Sequence, residues 1–208
     1  MAPLSVEVAP GVAYFPGYLP RAGQEALRDS IRAVLGEAPL YRARMPKTGK
    51  PLSVRMSNCG ALGWVSDEAG YRYQPNHPET GRPWPPIPDL LLSAWAALAP
   101  VAPPPEACLI NFYDADARMG LHQDRDEREL SAPVVSLSLG DPALFRIGGL
   151  TRGAPTRSFR IDSGDALTFG GPARLMFHGV DRIEAGRSTL LPNGGRINLT
   201  LRRVTPAA

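Results

Sequence analysis

Apolar positions follow two regimes along the chain, with a change of period at the proline-rich stretch between Pro100 and Pro105. After Pro20, Leu27, Ile31, Val34 and Leu35 recur at helical spacing while Arg28, Asp29 and Arg32 fall elsewhere, which predicts an amphipathic helix ended by Gly36 and Pro39. A second helix is predicted to open at Pro88 and to carry Leu91, Leu92, Trp95 and Leu98 on one side until the prolines stop it. Between the two, Gly60, Gly63, Gly70, Gly81 and several prolines break the pattern into loops and small hairpins. Beyond residue 105 the period becomes two. Cys108 to Tyr113, Val134 to Leu139, Leu144 to Ile147, Ser158 to Ile161, Ala166 to Phe169, Arg174 to His178 and Arg196 to Val204 read as short strands. Strands this short and closely spaced suggest a sandwich, jelly roll or small barrel, with a helical and loop-rich front half packed against it.

Composition narrows the class. With 208 residues, 43% hydrophobic and 21% charged, the chain suits one folded domain, and 21 Gly with 23 Pro make it loop-rich rather than disordered. No apolar run approaches the roughly 18 residues of a membrane span. The absence of Lys or Arg before Arg21, and of an apolar signal core, leads to the expectation of a cytoplasmic protein. Cys59 and Cys108 are too few for a disulfide framework and are expected to be free thiols. The net charge of +3 is modest, but Ala38 to Ser66 holds Arg42, Arg44, Lys47, Lys50 and Arg55 and no acid, and Arg146, Arg152, Arg157 and Arg160 form a second acid-free group. Two such patches suit a polyanion if folding joins them, and equally suit a solvated surface.

Three histidines are present, and His122 is the informative one. In Gly-Leu-His-Gln-Asp, His122 and Asp124 leave an extended segment on the same side and can share a metal, and His178, read as the end of a strand before Gly179, can complete the set. Two imidazoles and a carboxylate form the facial triad of non-haem iron(II) oxygenases. A His-x-Asp pair alone is more often an ordinary polar pair. The closing run Arg196-Ile-Asn-Leu-Thr-Leu-Arg202 adds a strand whose one face is Arg196, Asn198, Thr200 and Arg202 and whose other is wholly apolar. Two guanidiniums on one buried face require an anion such as a dicarboxylate, whereas an exposed edge strand requires none.

Taken in order, these segments resemble the Fe(II)/2-oxoglutarate dioxygenases, and specifically the AlkB family of alkylation-repair demethylases. The likeness runs from about Cys59 to Arg202 and includes Asn-Cys-Gly-Ala-Leu-Gly-Trp64, Tyr71-Arg-Tyr73, Cys-Leu-Ile-Asn111-Phe-Tyr113, His122-Gln-Asp124-Arg-Asp126-Glu, Phe-Arg-Ile-Gly-Gly-Leu, Phe-His178-Gly and the arginine strand. One departure is Phe169 before Gly170-Gly171, where the family pattern suggests Trp.

The resemblance implies an α+β chain. Its core would be a double-stranded β-helix (jelly roll) at residues 106–208, with N-terminal helices and a nucleotide-recognition lid at residues 1–105, integrated as one catalytic domain. It further implies iron(II) on His122, Asp124 and His178. 2-Oxoglutarate would be held by Arg196, Arg202, Asn111, Tyr113 and Asn198, with dioxygen as the remaining reactant. Trp64 would stack a cationic 1-methyladenine or 3-methylcytosine against His122, Asp126 would accept from the exocyclic amino group, and Met56 would line the pocket. Tyr71, Arg152, Arg44, Lys47, Lys50 and Arg55 would hold phosphates. His77, Ser136 and Asp165 are given no chemistry, His77 being read as a loop residue.

The implied partner is methylated DNA, single-stranded by preference, with RNA as a further substrate and with no membrane association; the protein is expected to be a monomer. The implied reaction hydroxylates the N-methyl group, which leaves as formaldehyde. Two other readings use the same residues: a hydroxylase of a protein or small molecule on the same core, and a metal-free nucleic-acid-binding module.

Overall fold

The computed structural model describes residues 4–207. Two antiparallel sheets face each other. The larger has seven strands, β1 (Val6–Ala9), β2 (Val12–Phe15), β3 (Arg55–Gly60), β6 (Ala107–Tyr113), β8 (Val134–Gly140), β11 (Ala166–Phe169) and β13 (Arg196–Arg202), in the order β1-β2-β11-β8-β13-β6-β3. The smaller has the order β10-β9-β12-β7, built from β7 (Met119–His122), β9 (Ala143–Ile147), β10 (Arg157–Ile161) and β12 (His178–Ile183). A separate hairpin of β4 (Gly63–Asp67) and β5 (Gly70–Gln74) stands beside them. This is the jelly roll expected, in an α+β chain with two α-helices among the described residues.

Helix α1 (Arg21–Glu37) buries Leu27, Ile31 and Val34, each worth roughly 1.5–3 kcal/mol of apolar burial. It runs one residue past Gly36, which is exposed, and its end is closed by the Ala38 N–H on the Val34 carbonyl before Pro39. Helix α2 (Asp89–Leu98) buries Leu91, Ala94 and Trp95, while Leu92, expected on the same side, is exposed. Both helices cover the outer face of the large sheet, where Ile110, Val135, Leu137, Leu139, Ile197, Leu199 and Leu201 receive them. The inner face packs Leu109, Tyr113, Val134, Leu167 and Phe169 against Phe145, Ile147, Ile161, Val180 and Ile183 of the small sheet. Alternation along β13 therefore sends its aliphatic residues to the helices and its polar residues between the sheets.

Two readings of the pattern are corrected. The front half is not only helices and loops, because β1, β2 and β3 extend the large sheet at its two edges. The run Arg174 to His178 is not a strand: a 3-10 turn at Gly171–Ala173 leads through Leu175 to Phe177, and His178 opens β12 instead of closing a strand before it. Consecutive apolar side chains there fill space beside the turn, and the backbone is tied to the end of β9 by the Gly148 N–H on the Phe177 carbonyl. The two cysteines are free, buried and directly opposite each other on β3 and β6.

Candidate active site

The site lies where β7 and β12 pair. His178 and His122 are cross-strand partners in that ladder, so their imidazoles are delivered side by side, with ring centroids 4.5 Å apart. Gly179 permits this approach: a Cβ there would sit 2.5 Å from the Met119 carbonyl oxygen. Each imidazole has Nδ1 against a backbone carbonyl two residues earlier, His122 on Gly120 at 2.9 Å and His178 on Met176 at 3.0 Å. A carbonyl only accepts, so Nδ1 carries the proton in both rings and Nε2 offers its lone pair to the cavity. Asp124 completes the group, with Oδ1 3.8 Å from His122 Nε2 and Oδ2 3.8 Å from His178 Nε2. One ligand atom from each of the three lies within 4.8 Å of the others.

Electrostatics prepare these atoms for a cation. Burial pushes the Asp124 carboxyl up, but the Arg202 guanidinium, with Nη2 at 2.8 Å from Oδ1, and then the two imidazoles outweigh it and hold the group well below the usual carboxylate range. Burial, followed by the neighbouring His122, brings His178 down to about 4, so it is neutral at neutral pH and free to ligate. Phe145 and Phe169 stack on the His178 ring at centroid distances of 5.9 and 5.0 Å.

Away from the triad the arginine strand β13 forms the floor. Arg196 is 1% exposed, donates to Ser138 Oγ at 2.6 Å and to the Asp141 carbonyl at 3.3 Å, and leaves its Nε without a partner. Burial pulls this guanidinium down to about 10. Arg202 Nε makes no hydrogen bond, with Glu127 Oε1 3.4 Å away, and Asn111 has an unpartnered Oδ1, although that amide can turn to present its nitrogen. Asn198 donates to Ser136 Oγ at 2.7 Å, and burial raises the Tyr113 hydroxyl to about 12. A buried guanidinium with no acid beside it and an orphaned N–H is costly unless an anion arrives. The residues therefore fit a divalent ion and a dicarboxylate together: three ligands of the right chemistry, one arginine beside them and one deeper in.

Of the residues to which the sequence assigned site roles, Met56, Trp64, Tyr71, Asn111, Tyr113, His122, Asp124, Asp126, Arg152, His178, Arg196, Asn198 and Arg202 line one cavity of about 840 Å³, whereas Arg44, Lys50 and Arg55 do not. The lid hairpin supplies its roof. Trp64 is fixed through its backbone by Asn58, which both donates to and accepts from it at 3.0 Å. Its indole stacks on Tyr71 at 5.7 Å and 19°, and its Nε1–H donates to Asp126 Oδ2 at 2.8 Å. Asp126, expected to face a substrate amino group, thus already holds one donor from the protein. Arg152 stacks over Phe177 and donates to the Leu121 carbonyl.

The basic residues divide. Lys47 reaches the cavity; Arg44 donates to the Gly49 carbonyl, and Arg55 turns to Asp114 at 3.0 Å and over the Phe112 ring. Arg55 is thus engaged in a half-exposed ion pair within the protein. His77 lies in a loop, as expected, and is buried there with Nε2 on the Pro39 carbonyl. Asp165 accepts from Tyr14 and from the Gly17 and Asp162 amides, a structural role as expected. Sequence reasoning missed Glu127 and Arg174, which are buried behind Asp124 and carry no recognisable spacing.

A model of the 2OG-Fe(II) oxygenase superfamily matches residues 11–202. An alpha-ketoglutarate-dependent dioxygenase AlkB homolog of Caulobacter vibrioides is 54% identical over 200 residues, covering 96% of this chain and 90% of that protein. Alpha-ketoglutarate-dependent dioxygenase AlkB of Escherichia coli is 40% identical over 205 residues, 97% of this chain and 94% of that one. Among solved structures, that of OsALKBH1 superposes with a TM-score of 0.81 at 31% identity, over 96% of this chain and 100% of the other.

Proposed function

Because the chain belongs to the 2OG-Fe(II) oxygenase superfamily and, within it, to the AlkB dioxygenases, we infer that it oxidatively removes N-methyl groups from nucleic-acid bases, using iron(II), 2-oxoglutarate and dioxygen. The observation that carries the residue assignment is the buried, acid-free Arg196 with its orphaned Nε, in the same cavity as the His122, Asp124 and His178 donor set. The three ligands would hold the iron. Arg196 would take the remote carboxylate of 2-oxoglutarate, Arg202 would lie by the other, and Asn111, Tyr113 and Asn198 would add neutral hydrogen bonds.

When bound, the iron supplies the oxidation of the methyl carbon by dioxygen, coupled to decarboxylation of 2-oxoglutarate to succinate and carbon dioxide. The hydroxymethyl adduct then releases formaldehyde, and the base nitrogen recovers its proton or its neutral form. The chain's own residues choose and place the base. With Tyr71 covering one face of the Trp64 indole, the other is left for a cationic ring, stacked toward His122. Asp126 has a second oxygen to accept from the exocyclic amino group and balances the charge of a methylated ring, a balance absent once the neutral base is restored. Met56 closes the pocket, and Tyr71, Arg152 and Lys47 at the mouth suit phosphates.

The substrates proposed are 1-methyladenine and 3-methylcytosine in DNA, single-stranded by preference because a base with a blocked pairing edge is cheapest to turn out of an unpaired strand, with RNA as a further substrate. The site draws on one chain alone, and residues 1–105 and 106–208 act as a single catalytic unit, working as a monomer. No helix among the described residues is long and apolar enough to cross a membrane, and with two free thiols we assign the cytoplasm as the place of action. The test is reconstitution with Fe(II) and 2-oxoglutarate followed by air and a 3-methylcytosine oligonucleotide, read by mass spectrometry. Loss of one methyl matched by one succinate is the expected result. Succinate without demethylation would send the substrate assignment to a protein or small molecule.

A further inference from the structure

Behind the triad a closed ring of buried groups surrounds Asp124. Arg174, 5% exposed, donates through Nη1 to the Asp124 main-chain carbonyl, through Nε to the Ala132 carbonyl at 2.9 Å, and through Nη2 to Glu127 Oε2 at 3.1 Å. The other Glu127 oxygen, Oε1, lies 3.4 Å from Arg202 Nε and accepts from the Tyr73 hydroxyl. Arg202 closes the ring on the Asp124 carboxylate at 2.8 Å, and its Nη1 donates to the same Tyr73 hydroxyl at 3.2 Å. Asp124 is thus held at its backbone by one arginine and at its carboxylate by another, and Glu127 links the two.

This ring answers a mechanical problem. His122 and His178 stand on paired strands, but Asp124 belongs to the segment after β7 that has no ladder to fix it. Every polar arm of Arg174 ends on that segment, at Asp124, Glu127 and Ala132. The charges also balance: two guanidiniums face two carboxylates in a region from which water is excluded, so removing any one leaves a buried, unmatched charge. An ordinary surface segment needs no such arrangement.

We propose that Glu127 and Arg174 are positioning residues that hold Asp124 as the third metal ligand, the role of a shell behind the ligands. The proposal rests on the reading of the triad as the metal site. Its test is calorimetric titration of the full-length metal-free protein with Mn(II), which needs no turnover, on the wild type and on Glu127→Gln and Arg174→Lys. Glu127→Gln keeps the size of the side chain and removes its charge, and Arg174→Lys keeps the charge and loses the forked set of contacts. Mn(II) affinity is expected to fall about 10- to 100-fold in each.

A purely structural role is separated by Glu106→Gln. Glu106 pins the C-terminal segment through the Val204 and Thr205 amides, away from the cavity. This variant is expected to lower the melting temperature and leave Mn(II) affinity at the wild-type value. Wild-type Mn(II) affinity in either folded ring variant overturns the proposal, as does a loss of affinity in Glu106→Gln equal to theirs. Should Arg174→Lys not fold, Glu127→Gln decides. Absence of Mn(II) binding in the wild type overturns the triad reading, and the ring's role with it, which is a different result from equal binding in all proteins.

Discussion

Replacing Arg196 by Met should move stability and cosubstrate binding in opposite directions. In the unliganded protein the guanidinium is buried without an acid, and its descent to about 10 corresponds to about 3 kcal/mol of penalty on the charged form. Its compensation is limited to Ser138 Oγ and a long contact to the Asp141 carbonyl. Exchanging a buried charge for an apolar side chain of similar length is often neutral or stabilising by about 1–4 kcal/mol. The unliganded variant should therefore melt at or above the wild-type temperature.

With Mn(II) present, 2-oxoglutarate at about 100 times its Kd should stabilise the wild type by ~2.7 kcal/mol. For a chain of this length that is a rise of about 5–10 °C in melting temperature. Removing one partner of a buried ion pair costs about 3–5 kcal/mol, enough to weaken 2-oxoglutarate by about two to four orders of magnitude, so the rise should vanish in Arg196→Met at the same concentration. Scanning fluorimetry or calorimetry with and without 2-oxoglutarate reads both effects. A variant that melts several degrees lower when unliganded would make Arg196 a structural group, and one that keeps the full 2-oxoglutarate shift would remove it from the cosubstrate site.

Trp64→Ala should weaken binding of a 3-methylcytosine oligonucleotide by about 5- to 150-fold, the worth of one stacked base, and leave Mn(II) affinity unchanged, as measured by fluorescence anisotropy and calorimetry. Gly179→Ala places a methyl 2.5 Å from the Met119 carbonyl oxygen, so β12 must shift from β7; about 1–3 kcal/mol of stability and part of the Mn(II) affinity should be lost together. Alkaline unfolding gives a test in pH. Burial raises the Tyr41 and Tyr14 hydroxyls, the latter helped by Asp165, and takes Tyr113 to about 12. Above pH 10 the unfolded chain gives up phenolic protons that the native state keeps, so stability present below pH 10 should decline as pH rises from 10 to 12; these three groups outweigh Arg196, whose shift acts the other way. Urea midpoints that stay level across that range would contradict the burial of these hydroxyls.

The parts of the fold that could be read in advance are those in which burial follows a local period. β13 alternates because one face meets the helices and the other the cavity, and both demands are written in seven consecutive residues. The proposed metal ligands His122 and Asp124 were legible as a pair from their spacing of two, although only His122 lies on a strand. β3 was not, since Arg-Met-Ser-Asn-Cys-Gly looks polar. Its Ser57 and Asn58 are nonetheless buried, their polar atoms being matched by the Ala38 carbonyl and the Trp64 backbone, partners that only folding supplies. β2 is four residues long and owes its place to β11, far along the chain. The apolar Leu175-Met176-Phe177 imitates a strand although a turn places it. Glu127 and Arg174 are bound to each other only through the fold, so no local pattern announces them.

The pairing of His122 with His178 bears on which ion the protein can prefer. Two of the three proposed ligands stand at directly paired positions of a β-ladder, beside a register irregularity between His178 and Val180 where Gly179 admits the close approach of Met119. The backbone spacing of such a pair is set by strand register, which leaves side-chain rotation as its means of suiting ionic radius. Asp124, on the segment outside the ladder, takes its position from Arg174, Glu127 and Arg202 instead. Discrimination among divalent metals of different size is thereby concentrated in the groups that hold one carboxylate, and engineering the metal preference of this scaffold should begin there, with the histidines left in place.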